Sequence, residues 1–165
     1  WAEISARLYA DKYKIQTLAF RLSNPYGPHD SVELDKAHVA PAFVIKALAK
    51  SDTFEIKGDP SVERDFIYVS DVVEVRLASL EIRGTTDFFN LCTATNSTLL
   101  ELARSCIAAS GQPKEIVTAG AGLNPVKARR AANAKLRRVF RKESFVSLDE
   151  GVRKTLDWYR HALSR

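Results

Sequence analysis

Apolar side chains along this chain alternate between a strand-like and a helix-like spacing, and this alternation constrains the fold more than any other feature. The strand-like segments are residues 15–22, 53–57, 65–69, 88–92 and 115–118. The helix-like segments are residues 1–14, 37–50, 70–81, 98–111 and 147–163. Strands separated by helices of this length pair mostly in parallel, so the predicted fold class is α/β with a mostly parallel sheet.

Polar residues mark where two of the predicted helices begin. Ser70 or Asp71 is expected to cap the helix that follows strand 65–69. Thr98 and Glu101 have the spacing of a capping box, which predicts a helix start at Thr98.

The chain has 165 residues, of which 45% are apolar and 27% charged. This is enough for one compact domain with a single core and too little for a typical two-domain enzyme. No uncharged apolar run approaches the ~18 to 20 residues that span a bilayer, and no secretory signal pattern opens the chain, so we expect a soluble, cytoplasmic protein without a membrane partner.

Cys92 and Cys106 have no disulfide or metal spacing, and Cys106 is expected to be a buried free thiol.

The sequence begins inside a helical pattern. Trp1, Ile4 and Leu8 recur at helical spacing, but no capping residue precedes them, and the sequence contains no methionine. We therefore expect that a further segment precedes Trp1.

One segment is strongly basic and contains no acidic residue. Eight lysines and arginines and no acid lie between Val126 and Lys142, whereas the whole chain has a net charge of +5. Such a segment attracts the phosphates of a nucleotide, a nucleic acid or an acidic membrane. Leu136, Val139 and Phe140 interrupt the charges at helical spacing, so the alternative is an amphipathic helix whose basic face points to solvent.

The common nucleotide-binding and catalytic motifs are absent from the sequence. Gly120 and Gly122 follow a strand, but Pro125 stands where a dinucleotide-binding turn has its third glycine, and basic residues stand where such sites have a ribose-binding acid. We predict a loop there. The sequence contains no Gly-Lys-Ser or Gly-Lys-Thr, no Gly-x-Ser-x-Gly and no metal-type spacing of histidine and cysteine.

Three segments carry a more specific signal when they are taken in order. They are RLSNPYGPHD at 21–30, RDFIYVSDVVE at 64–74 and FNLCTATNSTLLELA at 89–103, followed by SLDEGVRKTLDWYR at 147–160. Together they resemble the extended short-chain dehydrogenase/reductase family, the NAD-dependent nucleotide-sugar epimerases and dehydratases. Within that family, YGPHD followed by AHVAPAFVIKALAK is similar to GDP-fucose synthase and its relatives.

The resemblance implies an enzyme of two lobes, in which an N-terminal Rossmann half holds NAD(P) and a Tyr-x-x-x-Lys pair, and a C-terminal half closes over a sugar nucleotide. None of the five tyrosines of this chain has a lysine four residues on. The resemblance thus implies a single truncated domain over 1–165: part of a Rossmann-type parallel sheet with the small C-terminal substrate-binding lobe. We expect no NAD(P) binding by this chain alone, and a homo-oligomer or a missing N-terminal half as its partner.

Asn24 and Arg64 are the first two candidate substrate-binding residues. Asn24 lies just past a strand end, where open α/β sheets place ligands, and its amide can donate to a diphosphate oxygen; alternatively it caps the turn that follows. Arg64 resembles the diphosphate-binding arginine of the family, and a guanidinium can grip two phosphate oxygens at once. The alternative for Arg64 is an ion pair with Asp65 or Asp71.

His38 and Lys46 match two positions of the GDP-fucose synthase-like enzymes. The resemblance implies that His38 is a general acid or base, for which imidazole suits because its pKa lies near neutrality. It also implies that Lys46, about two helical turns further on, contacts the substrate. The alternative interpretation is that both side chains are simply exposed to solvent.

Lys127, Arg129 and Arg130 align with a region where the family presents a basic residue to the phosphate or sugar. The sequence AANAKL stands where many members have an aspartate shortly before the lysine, so the register leaves the choice among the three open.

Two functions are compatible with these residues. The chain is either the substrate-binding half of a nucleotide-sugar epimerase or dehydratase, or a non-enzymatic module that holds phosphorylated ligands or nucleic acid. Phe140 is the only aromatic residue of the basic segment, which argues against a platform for single-stranded nucleic acid.

Overall fold

The computed structural model describes residues 1–120 and 126–164. The helices in these residues are α1 Ala2–Tyr13, α2 Val39–Leu48, α3 Val69–Ala78, α4 Leu99–Ser110, α5 Ala134–Phe140 and α6 Leu148–Ala162. The strands are β1 Thr17–Leu22, β2 Asn24–Tyr26, β3 Thr53–Lys57, β4 Glu63–Arg64, β5 Phe66–Tyr68, β6 Thr86–Leu91, β7 Ser97–Thr98 and β8 Glu115–Ala119. Gly122 and Pro125 of the predicted loop lie outside the described residues.

The strands form short pairs rather than one continuous sheet. Parallel pairs join β1 to β6, β2 to β5 and β3 to β8, whereas β4 and β7 are antiparallel. This confirms the predicted α/β class with mostly parallel pairing.

Two hydrophobic clusters pack the helices against these strand pairs. The larger cluster packs α2, α4 and α6 against β3 and includes the fully buried Phe54, Leu102 and Tyr159. The smaller cluster lies between the β1–β6 pair, β5, α3 and α5, with Phe89 and Leu136 at its centre. The strand ends that carry the candidate site residues lie where these clusters meet.

The capping prediction is confirmed at one helix and wrong at another. Thr98 accepts the Glu101 N–H and the Glu101 carboxylate accepts the Thr98 N–H, so the capping box is complete. At α3, however, Tyr68 is the N-cap residue, because the helix follows β5 without an intervening loop. Asp71 lies inside the first turn, where its buried carboxylate accepts the Val146 N–H at 3.0 Å.

The two outer edges of the β1–β6 pair differ. Hydrogen bonds join the β6 side to α5 and the segment before it: Asn90 Nδ2 of β6 donates to the Ala132 carbonyl, and Lys135 Nζ of α5 donates to the Phe88 carbonyl. No second strand pairs with β1 in the described residues. The helices over this pair also expose apolar side chains, including Leu8 of α1 and Leu77 of α3 at 62% each.

Both cysteines are buried free thiols, as expected for Cys106. Burial raises the pKa of each thiol. Throughout 1–120 and 126–164, no helix is long and apolar enough to cross a membrane. The same residues contain no cluster of histidine, cysteine and acidic side chains able to hold a metal ion.

Candidate functional site

A cavity of about 500 Å³, the ligand cavity, opens at the ends of β2 and β5. Its wall is made of the β2 strand and the loop after it, the start of α2, and two residues around β5: Ser23, Asn24, Pro25, Tyr26, Gly27, Pro28, His29, Asp30, His38, Val39, Ala40, Pro41, Phe66 and Val69. It therefore lies outside the carboxyl ends of parallel strands, which is where α/β folds place ligands.

Asn24 lies in the cavity wall and is fixed by the junction between β4 and β5. Its backbone N–H and its Nδ2 both donate to the Asp65 carbonyl oxygen, at 3.0 and 2.9 Å. The expected alternative, a cap on the turn that follows, is wrong, because the hydrogen bonds run across to the neighbouring strand instead. The side chain is held at the strand end, with one amide hydrogen committed to the main chain.

His38 and Asp30 form a pair at the mouth of the cavity. The Nδ1 atom of His38 lies 3.0 Å from Asp30 Oδ2, while Asp30 Oδ1 accepts the Ser31 N–H. The His38 side chain is 81% exposed. A carboxylate at Nδ1 orients the imidazole and leaves Nε2 available to a ligand, which is the arrangement that acid–base chemistry needs.

The last helix holds the loop that carries this pair. The Tyr26 hydroxyl donates to the Leu148 carbonyl at 3.2 Å, and the Tyr159 hydroxyl donates to the Ser31 carbonyl at 2.8 Å. Burial raises the pKa of Tyr159 to about 12 and also raises that of Tyr26. Both phenols are therefore neutral donors at neutral pH, and α6 anchors both ends of the cavity loop.

Arg64 is not part of the cavity wall. Its Nη1 donates to the carbonyls of Glu63 and Val126, at 2.7 and 3.0 Å. The alternative of an ion pair with Asp65 or Asp71 is wrong, because both carboxylates are held by other donors. Arg64 is instead tethered to the first residue of the basic segment.

Glu63 attaches the same segment from the other side of the strand. Its backbone N–H donates to the Lys127 carbonyl at 2.8 Å, and its carboxylate accepts Arg130 Nη2 at 3.0 Å and Asn96 Nδ2 at 3.2 Å. These side-chain hydrogen bonds lower the pKa of the Glu63 carboxyl group, and the bond from Arg130 has the largest effect. The sequence patterns do not single out Glu63, and its position next to Arg64 was the only signal that they offered.

Two further cavities lie in the same part of the molecule. One of about 330 Å³ has Phe66 in common with the ligand cavity and is lined by Thr93, Thr95 and Ser97 among others. The other, of about 530 Å³, has Thr95 in common with the 330 Å³ cavity and includes Arg130 and Glu63.

The structure brings together some of the candidate residues and separates others. Asn24 and His38 line one cavity, whereas Arg64 lies outside its wall and is joined to the segment of Lys127, Arg129 and Arg130 by its hydrogen bond to the Val126 carbonyl. Lys46 is elsewhere: its Nζ donates to the Glu55 carbonyl of β3 at 2.7 Å, and burial lowers its pKa.

The rest of the basic segment does not form one positive face. Lys135 pairs with Asp87, and Lys142 bridges Asp71 at 2.8 Å and Glu74 at 2.7 Å. Because these cations are neutralised on different sides of α5, their charges do not converge on a common ligand.

Comparison with known proteins gives the family. The NAD-dependent epimerase/dehydratase family matches residues 1–92, which is more than half of the chain. The dTDP-4-dehydro-6-deoxy-D-allose reductase of Streptomyces bikiniensis is 31% identical over 98% of this chain and 48% of its own length. The UDP-glucose 4-epimerase of Mycolicibacterium smegmatis is 28% identical over 96% of this chain and 50% of its own length.

Solved structures show the same relation. A UDP-glucose 4-epimerase of Thermotoga maritima with UDP-glucose superposes with a TM-score of 0.87 at 28% identity, over 98% of this chain and 51% of that protein. A GDP-L-fucose synthetase of Naegleria fowleri superposes at 0.89 with 18% identity, a likeness that shows the fold alone. The chain spans about half the length of the relatives it matches. By the match over residues 1–92 and this shared Rossmann-type fold, the chain belongs to the NAD-dependent epimerase/dehydratase family.

Proposed function

We propose that this chain binds a nucleotide-diphosphate sugar and is the substrate-binding half of an NAD(P)-dependent nucleotide-sugar epimerase, dehydratase or reductase. The observation that carries the proposal is made at two neighbouring residues: the Asp65 carbonyl holds Asn24 of the cavity wall, and Arg64 Nη1 holds the Val126 carbonyl of the basic segment. Family membership supports the same ligand class, because relatives are named for reactions of sugar nucleotides.

The diphosphate is proposed to bind between Arg64 and the basic segment. Arg64 is paired only with neutral carbonyls in its described contacts, and charge-assisted hydrogen bonds to phosphate oxygens are roughly twice as strong as neutral ones. A diphosphate can therefore displace the Val126 carbonyl from the guanidinium. Lys127 and Arg129 follow within three residues of Val126 and would add positive charge to the same anion, whereas Arg130 is already paired with Glu63.

The sugar is proposed to occupy the ligand cavity, next to His38. The imidazole is held by Asp30 at the mouth, so Nε2 can accept or give up a proton at a sugar carbon or hydroxyl. Asn24 Oδ1 and the main-chain groups of the wall supply hydrogen-bond partners for the sugar.

The residues of this chain do not fit the NAD(P) that the family implies. Dinucleotide sites place a glycine-rich turn between a strand and the N-terminus of a helix. In the described residues, β5 and β7 pass directly into α3 and α4 without a glycine, and Gly120 follows a strand whose next helix begins only at Ala134. We therefore assign no cofactor contact to this chain and derive no hydride-transfer step from its residues.

The open edge of β1 is proposed to be covered by another polypeptide. A parallel strand is normally buried between neighbours, and the apolar side chains of α1 and α3 lie exposed beside this strand. Either a second copy or an NAD-binding half of the family type would bury this surface, and the second would also supply the Tyr-x-x-x-Lys pair.

Calorimetric titration of the chain with UDP, dTDP and GDP tests the proposal, with uridine and a single-stranded oligodeoxynucleotide as comparison ligands. We expect at least one diphosphate to bind and uridine not to bind, because the phosphate contacts supply most of the affinity. NAD+ and NADPH are expected to give no binding heat. Absence of binding by all three diphosphates, or tighter binding of the oligonucleotide, would contradict the proposed function.

A further inference from the structure

We propose that Asp65 is a positioning residue for the ligand cavity: its buried carboxylate holds the loop after β6 against the end of β1, and its carbonyl holds Asn24. This inference rests on the proposed function, since the positioned groups are those that would meet the ligand. Asp65 is not itself placed in contact with the ligand, because it is only 3% exposed and lies outside the cavity wall.

The Asp65 carboxylate accepts four hydrogen bonds from two different segments. Oδ1 accepts from Ser23 Oγ at 3.1 Å, from the Thr93 N–H at 3.0 Å and from Thr93 Oγ1 at 3.0 Å. Oδ2 accepts from the Ala94 N–H at 2.8 Å. Ser23 lies between β1 and β2, whereas Thr93 and Ala94 form the loop after β6, so one buried carboxylate joins two strand ends.

The loop after β6 has an unfavourable backbone conformation that hydrogen bonds to the Asp65 carboxylate stabilise. Ala94 has φ 63°, in the left-handed region that costs a non-glycine residue free energy. The two backbone N–H groups at 93 and 94 both point at the carboxylate, which compensates for this cost. Thr93 and Thr95 then line the cavity that shares Phe66 with the ligand cavity.

An ionised carboxylate is the side chain that fits this position. It is an acceptor only, whereas an asparagine would turn an NH₂ group toward at least one backbone N–H. The hydroxyls of Ser23 and Thr93 can rotate to adapt, but the amides of Thr93 and Ala94 cannot. Asp65→Asn therefore leaves one buried donor facing another, so the loop after β6 is expected to move away from Asp65 and from Ser23 of the cavity wall.

Asp71 provides a matched control, because it is also a buried aspartate that holds a backbone N–H. It is 2% exposed and accepts the Val146 N–H at 3.0 Å and Lys142 Nζ at 2.8 Å, but it touches neither Asn24 nor residues 93–94. Asp71→Asn is expected to lower stability as Asp65→Asn does. Only Asp65→Asn is expected to change the ligand cavity.

The test compares wild type, Asp65→Asn and Asp71→Asn at a temperature where all three are folded. Calorimetry with whichever of UDP, dTDP or GDP binds wild type most tightly gives the affinity, and amide hydrogen exchange gives the protection of Thr93 and Ala94. Asp65→Asn should weaken the affinity by about tenfold and remove this protection, while Asp71→Asn changes neither. If Asp65→Asn does not fold, Thr93→Val replaces it, since that variant removes one hydroxyl donor and should weaken binding by a few-fold.

The outcomes separate this inference from the proposed function. Unchanged affinity in Asp65→Asn, or an equal loss in Asp71→Asn, would overturn the positioning role while leaving the ligand assignment intact. If wild type binds no diphosphate, the proposed function fails. In that case, selective loss of Thr93 and Ala94 protection still supports the anchor, and retained protection overturns it.

Discussion

At the scale of single residues, the sequence predicts an interaction best when the side chains involved have few possible hydrogen-bond partners. Thr98 can accept an N–H and Glu101 can return one, so their spacing of three predicts the capping box that the structure contains. Burial and geometry decide the partners of the arginines and aspartates instead, which is why the alternative of an ion pair between Arg64 and Asp65 or Asp71 was wrong.

Thr98→Ala is expected to lower the free energy of unfolding by about 1 kcal/mol, because it removes the N-cap acceptor of α4. Chemical denaturation measures this, with the exposed Thr118→Ala as control. A loss no larger than that of the control would contradict the role of the cap.

Glu101 adds a pH dependence to the same cap. Hydrogen bonds from the backbone and then the hydroxyl of Thr98 lower the pKa of its carboxyl group. A lowered folded-state pKa means stability that is present above the unfolded pKa, roughly 4.3, and lost as pH falls through the folded value. The stability difference between wild type and Glu101→Gln should therefore narrow as the pH falls below roughly 4.3 toward the folded-state pKa, and a difference that widens there would contradict this sign.

At the scale of elements, α6 positions the cavity loop by close contact. A Cβ at Gly151 would collide with the Tyr26 hydroxyl and lie 3.0 Å from Tyr68 Cδ2. Glycine is thus required where α6 crosses β2 and β5, although alanine is ordinarily the better helix former.

Gly151→Ala is expected to lower the free energy of unfolding by about 1–3 kcal/mol. The steric overlap of the new methyl group with Tyr26 destabilises the protein by more than the higher helix propensity of alanine stabilises it. The change should also displace Tyr26 and so weaken diphosphate binding. Arg153→Ala, an exposed change on the same helix, serves as control in both denaturation and titration. A Gly151→Ala protein as stable as wild type would show that Tyr26 can move aside.

Periodicity in the sequence predicts most of these elements but few of their contacts. The apolar spacing located β3, β8 and the last helix closely, because each has one face buried in a cluster. It could not predict that Tyr68 rather than Ser70 begins α3, nor that Lys46 turns toward β3, because both depend on which segments meet in three dimensions. The Asp65 contacts could not be predicted from the sequence either, because they join residues 28 to 42 positions apart.

At the scale of the whole molecule, the open β1 edge predicts association. We expect a dimer or larger species in sedimentation velocity at high micromolar concentration, because the edge and the exposed side chains of α1 and α3 favour burial. Leu8→Glu combined with Leu77→Glu should shift the distribution toward monomer, and the exposed Gln112→Glu should not. A wild-type monomer under these conditions would contradict this expectation.

The measurement that tests the central claim most directly is a comparison of diphosphate affinity in wild type, Arg64→Ala and Arg141→Ala. Arg64 is hydrogen-bonded to Val126 and adjacent in sequence to Asp65, which holds Asn24 of the cavity wall, whereas Arg141 is an exposed residue at the end of α5. Arg64→Ala is predicted to weaken binding by about tenfold or more, since a charge-assisted hydrogen bond contributes roughly 1.5–3 kcal/mol and each ~1.4 kcal/mol is a factor of ten. Arg141→Ala is predicted to change little. Equal losses in the two variants would indicate a diffuse basic surface and contradict a sugar-nucleotide site at the β4–β5 junction.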